Sequence, residues 1–133
     1  MAKLVLTNSN VTLGGTDVSA YVASVTLSIS VNEVETTSFG TGAVTRVGGL
    51  QDNSVTLDIH QDYSAIEGLV YPLIGSTTSL VIKPNGTAVG TANPSYSMTP
   101  LIVEWTAVNG AVGELATASV TWPISGTVTK AVA

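Results

Sequence analysis

Residues 19–60 read SAYVASVTLSISVNEVETTSFGTGAVTRVGGLQDNSVTLDIH, two alternating segments on either side of a stretch rich in Gly and Thr. In both flanking segments every second residue is apolar and most of the others are Ser, Thr or Asp; the apolar positions are Val25, Leu27, Ile29, Val31, Val55, Leu57 and Ile59. A period of two places one face of a strand on a core and the other towards water. We therefore predict long strands at about 22–32 and 54–61.

The intervening segment, about 33–52, is here called the arm. It has no helical period, and connections of this length are uncommon in small domains unless they serve a function. We expect the arm to contact another molecule, with Phe39 and Leu50 as its apolar candidates. Glu33, Glu35 and Asp52 accompany its one cation, Arg46. Either these charges are solvated or Arg46 pairs with an acidic group on a neighbouring subunit.

Composition narrows the class of protein. A chain of 133 residues fits one domain, 1–133, whose core can form without disulfides because the chain has no cysteine. No segment is apolar for long enough to predict a signal peptide or a membrane span. Only 10% of residues are charged and the net charge is −5, which argues against non-specific nucleic-acid binding. So few charges suggest that copies of the chain cover much of its surface.

The remaining segments predict a mainly β fold. Further strands are expected at 3–7, 11–13, 78–83, 96–108, 115–122 and 126–132, with a hairpin connection beginning at Asn109-Gly110. One helix is expected at about 64–74, starting with a Ser64–Glu67 capping box and ending near Pro72 and Gly75. The result is a β-sandwich or barrel of about eight strands, with one short flanking helix and the long arm.

Few residues suggest chemistry. Asp58, His60 and Asp62 alternate along the second strand, so they share a face if the strand continues that far. They could form a metal site or an acid–base pair, but a solvated strand face is the interpretation that we favour. Trp105 and Trp122 are expected in the core or at an interface. We predict no catalytic residues, no metal and no cofactor.

Several segments together resemble the tail tube proteins of long-tailed bacteriophages. Between about residues 11 and 128 they are Asp17-Val18-Ser19 before a long strand, 35–40 (ETTSFG), 47–52 (VGGLQD), 93–96 (NPSY) and 113–122 (GELATASVTW), followed by 126–128 (GTV). The order of these segments carries the resemblance more than any one of them.

The resemblance implies a structural subunit and not an enzyme. In that family six copies form a ring whose paired strands line a channel, rings stack into a tube, and the long loop reaches the adjacent ring. It implies partners such as tape-measure and terminator proteins, transient passage of viral DNA without specific binding, assembly in the host cytoplasm and a final location in the virion tail. Asp58, His60 and Asp62 would face the lumen, Glu33, Glu35, Phe39, Arg46 and Leu50 would lie in the inter-ring arm, and Trp105 and Trp122 would be interface aromatics.

The sequence is also compatible with three other classes of protein. A capsid decoration protein or tail fibre module would have a similar sandwich. A carbohydrate-binding sandwich is less favoured, because aromatic residues make up only 5% of the chain. A hydrolase using Asp58 and His60 is the least favoured, since no motif surrounds a nucleophile.

Overall fold

The computed structural model describes residues 8–40 and 42–132, so the strand expected at 3–7 lies outside the described residues. The described strands are β1 Asn10–Leu13, β2 Thr16–Asp17, β3 Val22–Ser28, β4 Val31–Glu35, β5 Arg46–Gln51, β6 Ser54–His60, β7 Leu80–Lys83, β8 Ser95–Met98, β9 Thr117–Pro123 and β10 Thr129–Ala131. Helix α1 covers Glu67–Val70 and continues as a 3-10 turn over Tyr71–Leu73; another 3-10 turn covers Ser19–Tyr21. The prediction of a mainly β fold is confirmed.

Two antiparallel sheets form the body of the molecule. The larger has the strand order β10-β8-β7-β1-β2 and the smaller has the order β3-β6-β9. A separate two-stranded sheet, β4-β5, forms the arm. Strands β3 and β6 are the two that the alternating pattern predicts, and they pair from Val22–Ile59 to Ser28–Ser54. The strand predicted at about 22–32 is wrong beyond Ser28, because Ile29 and Val31, expected on the core face, are about half exposed and Val31 already belongs to β4.

The core lies between the two larger sheets. Alternate residues of β1, β7 and β8 meet alternate residues of β6 and β9, and α1 contributes at one side; the buried set includes Val11, Leu13, Val55, Leu57, Ile59, Ile66, Val70, Leu80, Ile82, Met98, Ile102, Ala118, Val120 and Trp122. Burial of apolar side chains from both inner faces is the main stabilising contribution in such a sandwich.

The predicted helix is present but begins differently. Asp62 Oδ1 accepts hydrogen bonds from the backbone N–H groups of Ser64 and Ala65, both at 3.0 Å, and from the Ser64 hydroxyl at 2.9 Å. The Ser64 hydroxyl is therefore a donor to Asp62 and not the capping acceptor of a Ser64–Glu67 box. The helical segment ends as expected at Gly75, whose φ is +87°. Within the described residues, no helix has the length and apolar character needed to cross a membrane.

The long strand predicted at 96–108 is wrong beyond Met98. After β8 the chain forms single bridges, from Pro100 to Ile124 and from Leu101 to Thr77, and then runs irregularly beside β9. Side chains of this segment, and not its backbone, bond the backbone groups of β9. Glu104 Oε1 accepts from the Thr121 N–H at 2.8 Å, and the Thr106 hydroxyl donates to the Ser119 carbonyl at 3.1 Å. The segment therefore covers the edge of β9 without joining its sheet.

Candidate functional site: the arm and the outer face of the small sheet

The arm is a β-ribbon and not an irregular loop. Strands β4 and β5 pair in the register Glu33–Gly48, Val34–Val47 and Glu35–Arg46. The pairing continues one step further, where the Thr36 N–H donates to the Thr45 carbonyl at 2.8 Å. A Cβ on Gly49 would lie 2.9 Å from Val34 Cγ2, so the close approach of the two strands requires glycine there.

The arm continues directly from the body of the sandwich. Strand β4 follows β3 after two residues, and β5 leads into β6 after two residues, Asp52 and Asn53. At this junction the Asp52 N–H donates to the Ser30 carbonyl at 2.8 Å. The ribbon is therefore an extension of the β3–β6 hairpin beyond the core.

Every described residue from Ile29 to Asp52 is exposed, apolar side chains included. Phe39 has 107% of its reference surface exposed and Leu50 has 80%, while Val34 and Val47 are about half exposed at 47% and 54%. Exposed apolar residues clustered on one projecting element are typical of an interaction surface and not of a free monomer surface.

The charges of the arm meet within the arm itself. Arg46 forms an ion pair with Glu33 on the opposite strand, and both side chains are more than half exposed. Among the described residues, this is where Arg46 finds its acidic partner. An exposed pair of this kind contributes little to stability, about 0–1 kcal/mol.

The outer face of the small sheet is lined with hydroxyl groups. The cross-strand rows on this face are Ser24–Asp58–Ser119, Thr26–Thr56–Thr121 and Ser28–Ser54–Pro123. The hydroxyls of Thr56 and Thr121 lie 3.2 Å apart across β6 and β9. Asp58 is exposed in the middle of this face, and His60 follows it on the same strand opposite Thr117. We call these three rows, with the His60–Thr117 pair, the hydroxyl face.

Asp62 does not belong to this face. Strand β6 ends at His60, and the Asp62 carboxylate turns to cap the start of the helical segment. Hydrogen bonds from the Ala65 N–H and then from Ser64 lower the pKa of Asp62 below its ordinary value. The expectation that Asp58, His60 and Asp62 form one lining set is therefore wrong for Asp62. Across the described residues, no group of three or more His, Cys, Asp or Glu side chains is placed to hold a metal ion.

The two tryptophans differ in their surroundings. Trp122 is fully buried and its indole N–H donates to the Glu104 carbonyl at 2.8 Å, so it is a core residue and not an interface aromatic. Trp105 is half-buried against the core, on the irregular segment beside β9. Its indole nitrogen, like His60 Nδ1 and Gln61 Oε1, is buried without a hydrogen-bond partner among the described residues.

The small sheet has one open side. Strand β3 pairs with β6 alone, so its second edge has no strand partner in the described chain. Beside this edge, between the two sheets, lies a groove of about 280 Å³ whose main lining residues are Val25, Leu27, Ile29, Ile82, Pro84 and Tyr96. We call it the β3 groove.

Two parts of this surface were not found by sequence reasoning. Asn53, at the junction of the arm, is 1% exposed and connects the arm to the body through its side chain. The β3 groove depends on which strands are neighbours across the sandwich. The polar sequence Asp52-Asn53-Ser54, where the arm meets β6, was a signal for an unusual junction. No local sequence pattern indicates the groove.

Comparisons with known proteins show the fold. No family model matches the chain, and no curated protein matches its sequence. The structure is similar to a chain of an extracellular contractile injection system, the PVC sheath–tube complex in its extended state, with a TM-score of 0.72 and 14% identity over 98% of this chain and 93% of that chain. It is also similar to a chain of the PVC sheath/tube terminator in the extended state, with a TM-score of 0.73 and 14% identity over 98% of this chain and 97% of that chain. The fold is therefore one that occurs in a tail-like tube assembly.

Proposed function

We propose that this chain is a non-enzymatic structural subunit of a tail tube, which assembles into stacked hexameric rings around a channel. The observation that carries the proposal is the exposed arm, a paired β-ribbon that extends the central hairpin of the body and presents Phe39 and Leu50 to solvent. A free monomer gains nothing from this element. A ring stack uses it to join one copy to the next.

The edge of β3 that has no strand partner within residues 8–40 and 42–132 supports closure of the ring. An unpaired strand edge is a site for pairing with another chain, and natural monomers usually protect such edges. The opposite side of the small sheet is covered by the segment beside β9, so the two sides differ and a head-to-tail contact between copies is expected. Head-to-tail contacts generate a closed ring when the rotation from each copy to the next adds up to a full turn. The total surface buried for each subunit should be well above the roughly 1,600 Å² of a standard interface.

The hydroxyl face suits the wall of a channel. It combines Ser and Thr side chains with the Asp58 carboxylate and has no lysine or arginine in its rows. Such a wall stays wetted, and its acidic groups repel a phosphate backbone and prevent adhesion. We place Asp58 and His60 at the lumen and the arm at the ring-to-ring contact, with viral DNA as the passing molecule and tape-measure and terminator proteins as partners at the tube ends.

A second candidate is the tube of a contractile injection system, which the similarity to chains of the PVC complexes favours. The subunit architecture is the same for both candidates. An antibody against this chain distinguishes them by immunogold microscopy of particles from the producing culture. Label on tails that carry capsids supports the phage assignment, and label on headless particles supports the injection system.

Cryo-electron microscopy of the assembled protein tests the proposal. We expect hollow tubes in which the hydroxyl face points inward and the arm crosses to the next ring. Trimers, shell-binding monomers or solid fibres would instead fit a decoration protein or fibre module. A tube with the hydroxyl face outward would contradict the channel assignment.

A further inference from the structure

Among the described residues, none buries Phe39 at the tip of the arm. Phe39 lies beyond Thr37, whose hydroxyl accepts from the Thr45 N–H at 3.0 Å, and all described residues around it are exposed. The paired ribbon from Val31 to Thr36 carries the tip roughly 16 Å from the junction at 3.3 Å per residue. Phe39 is the one phenylalanine of the sequence, and it is fully in water.

The β3 groove offers apolar surface of a suitable size. Its volume is about 280 Å³, whereas an apolar cavity of roughly 150 Å³ is enough to hold benzene. Val25 and Leu27 line it from β3, and Ile82 and Tyr96 line it from the facing sheet. Val25 and Leu27 alternate with the outer-face residues Ser24, Thr26 and Ser28, so the groove lies on the inner side of β3 and not on the hydroxyl face.

The rim of the groove and the arm carry charges of opposite sign. Ile82 pairs with Tyr96 and Tyr96 pairs with Lys130, so these three side chains form one row on one face of the larger sheet. The exposed Lys130 therefore stands at the rim of the groove. On the arm, Glu33 has Arg46, while Glu35 has no ion-pair partner among the described residues. A cation at the groove and an unpaired carboxylate four residues before Phe39 are complementary.

We propose that Phe39 of one copy inserts into the β3 groove of a second copy, with Glu35 of the arm directed towards Lys130 at the rim. The proposal rests on the proposed tube function and names the contact that the arm makes. Docking removes the Phe39 ring from water together with the exposed parts of the groove residues Val25, Leu27, Ile29, Pro84 and Tyr96, above the buried Ile82.

Photo-crosslinking locates the contact. A benzophenone amino acid at position 39 keeps an aromatic side chain at the tip and reacts with the C–H bonds around it. With isotope-labelled and unlabelled copies mixed, we expect crosslinks between copies that map to β3, β7 or β8 around the groove. Crosslinks between copies that map elsewhere overturn the docking proposal while leaving the tube function in place. If the wild-type chain never assembles, both are overturned.

Variants test the energetics. Phe39→Ser should raise the concentration needed for assembly by about tenfold or more, because it removes a buried aromatic from each contact. Phe39→Tyr, which keeps the ring, is the matched control and should assemble near the wild-type concentration. Glu35→Lys and Lys130→Glu should each impair assembly, and the double variant should restore part of it. Unchanged assembly of Phe39→Ser, in a variant with wild-type circular dichroism, overturns the proposal.

Discussion

The side chain of Asn53 binds the backbone of Ser30, with Oδ1 accepting from the Ser30 N–H at 3.2 Å where the arm joins the sandwich. The Asn53 side-chain nitrogen donates to Gln51 Oε1 at 3.2 Å and to the Gly126 carbonyl at 3.5 Å, and the Asn53 backbone carbonyl accepts from the Ile124 N–H at 2.9 Å. The buried Asn53 thus connects both ends of the arm with the chain after β9. This contact fixes the direction in which the arm projects.

Replacing Asn53 should loosen the arm and weaken the fold. Asn53→Ala removes the hydrogen bonds of a buried side-chain amide to Ser30 and Gln51, and a hydrogen bond of this kind contributes about 0.5–1.5 kcal/mol. Denaturant unfolding should show a loss of that size, and hydrogen exchange should become faster in β4 and β5. The exposed Asn32→Ala on the arm is the control and should change stability by under about 0.5 kcal/mol. Equal stability of the two variants would contradict the role given to Asn53.

Deletion of residues 38–47 should separate folding from assembly. Glu33 and Gly48 are register partners, so the deletion leaves Val34–Thr37 as a short connection between them. The core contains no residue of the arm, and the variant should therefore unfold at nearly the wild-type denaturant concentration. Negative-stain microscopy should show no tubes. Tubes of normal length from this variant would refute the function assigned to the arm.

Asp58→Lys should turn the channel wall into a DNA-binding surface. Each subunit would change by two charge units, so a six-membered ring would gain a ring of cations on the hydroxyl face. We expect assembled tubes of this variant to retain DNA at low salt and release it as salt increases. Glu114→Lys makes the same charge change on an exposed turn outside that face. If both variants bind DNA equally, Asp58 does not line the lumen.

Acid should destabilise the body through two carboxylates that accept local hydrogen bonds, Asp17 and Asp62. Hydrogen bonds from the Ser19 hydroxyl and N–H lower the pKa of Asp17, and those from Ala65 and Ser64 lower the pKa of Asp62. A lowered folded-state pKa means that the stabilisation is present above the unfolded value of about 3.9 and is lost as pH falls through the folded value. Asp17→Asn and Asp62→Asn should each show a flatter loss of unfolding free energy below pH 4. Slopes identical to wild type would contradict these two contacts.

Alternation of apolar and polar residues predicted the parts of the fold that lie in the core. Strand β6, and β3 as far as Ser28, follow it because the inner side of their sheet faces the larger sheet across the core; Ile29 and Val31 depart from it because the chain there leaves the sandwich for the arm. The same reasoning failed at 99–108, where Glu104 and Thr106 bind β9 through side chains and remove the need for a ladder. Alternation cannot distinguish a paired strand from an irregular segment of this kind. It indicates which side chains are buried, but not whether the backbone N–H groups bond to a neighbouring strand.

The candidate site was predictable in part. The arm and the positions of Asp58 and His60 followed from sequence, because a long polar insertion between two strands and a strand's outer face are both local features. Asp62 was misplaced because the end of β6 depends on a cap that competes with strand pairing. The β3 groove and the position of Lys130 depend on the order of strands β10, β8 and β7, which no local pattern encodes.

The state of assembly of the purified chain tests the central claim most directly. Sedimentation velocity over a concentration series, with negative-stain images of the same samples, measures it. We expect rings and hollow cylinders that grow with concentration at the expense of monomer. A single monomeric species at every concentration, with the arm protected from hydrogen exchange against its own body, would contradict the account.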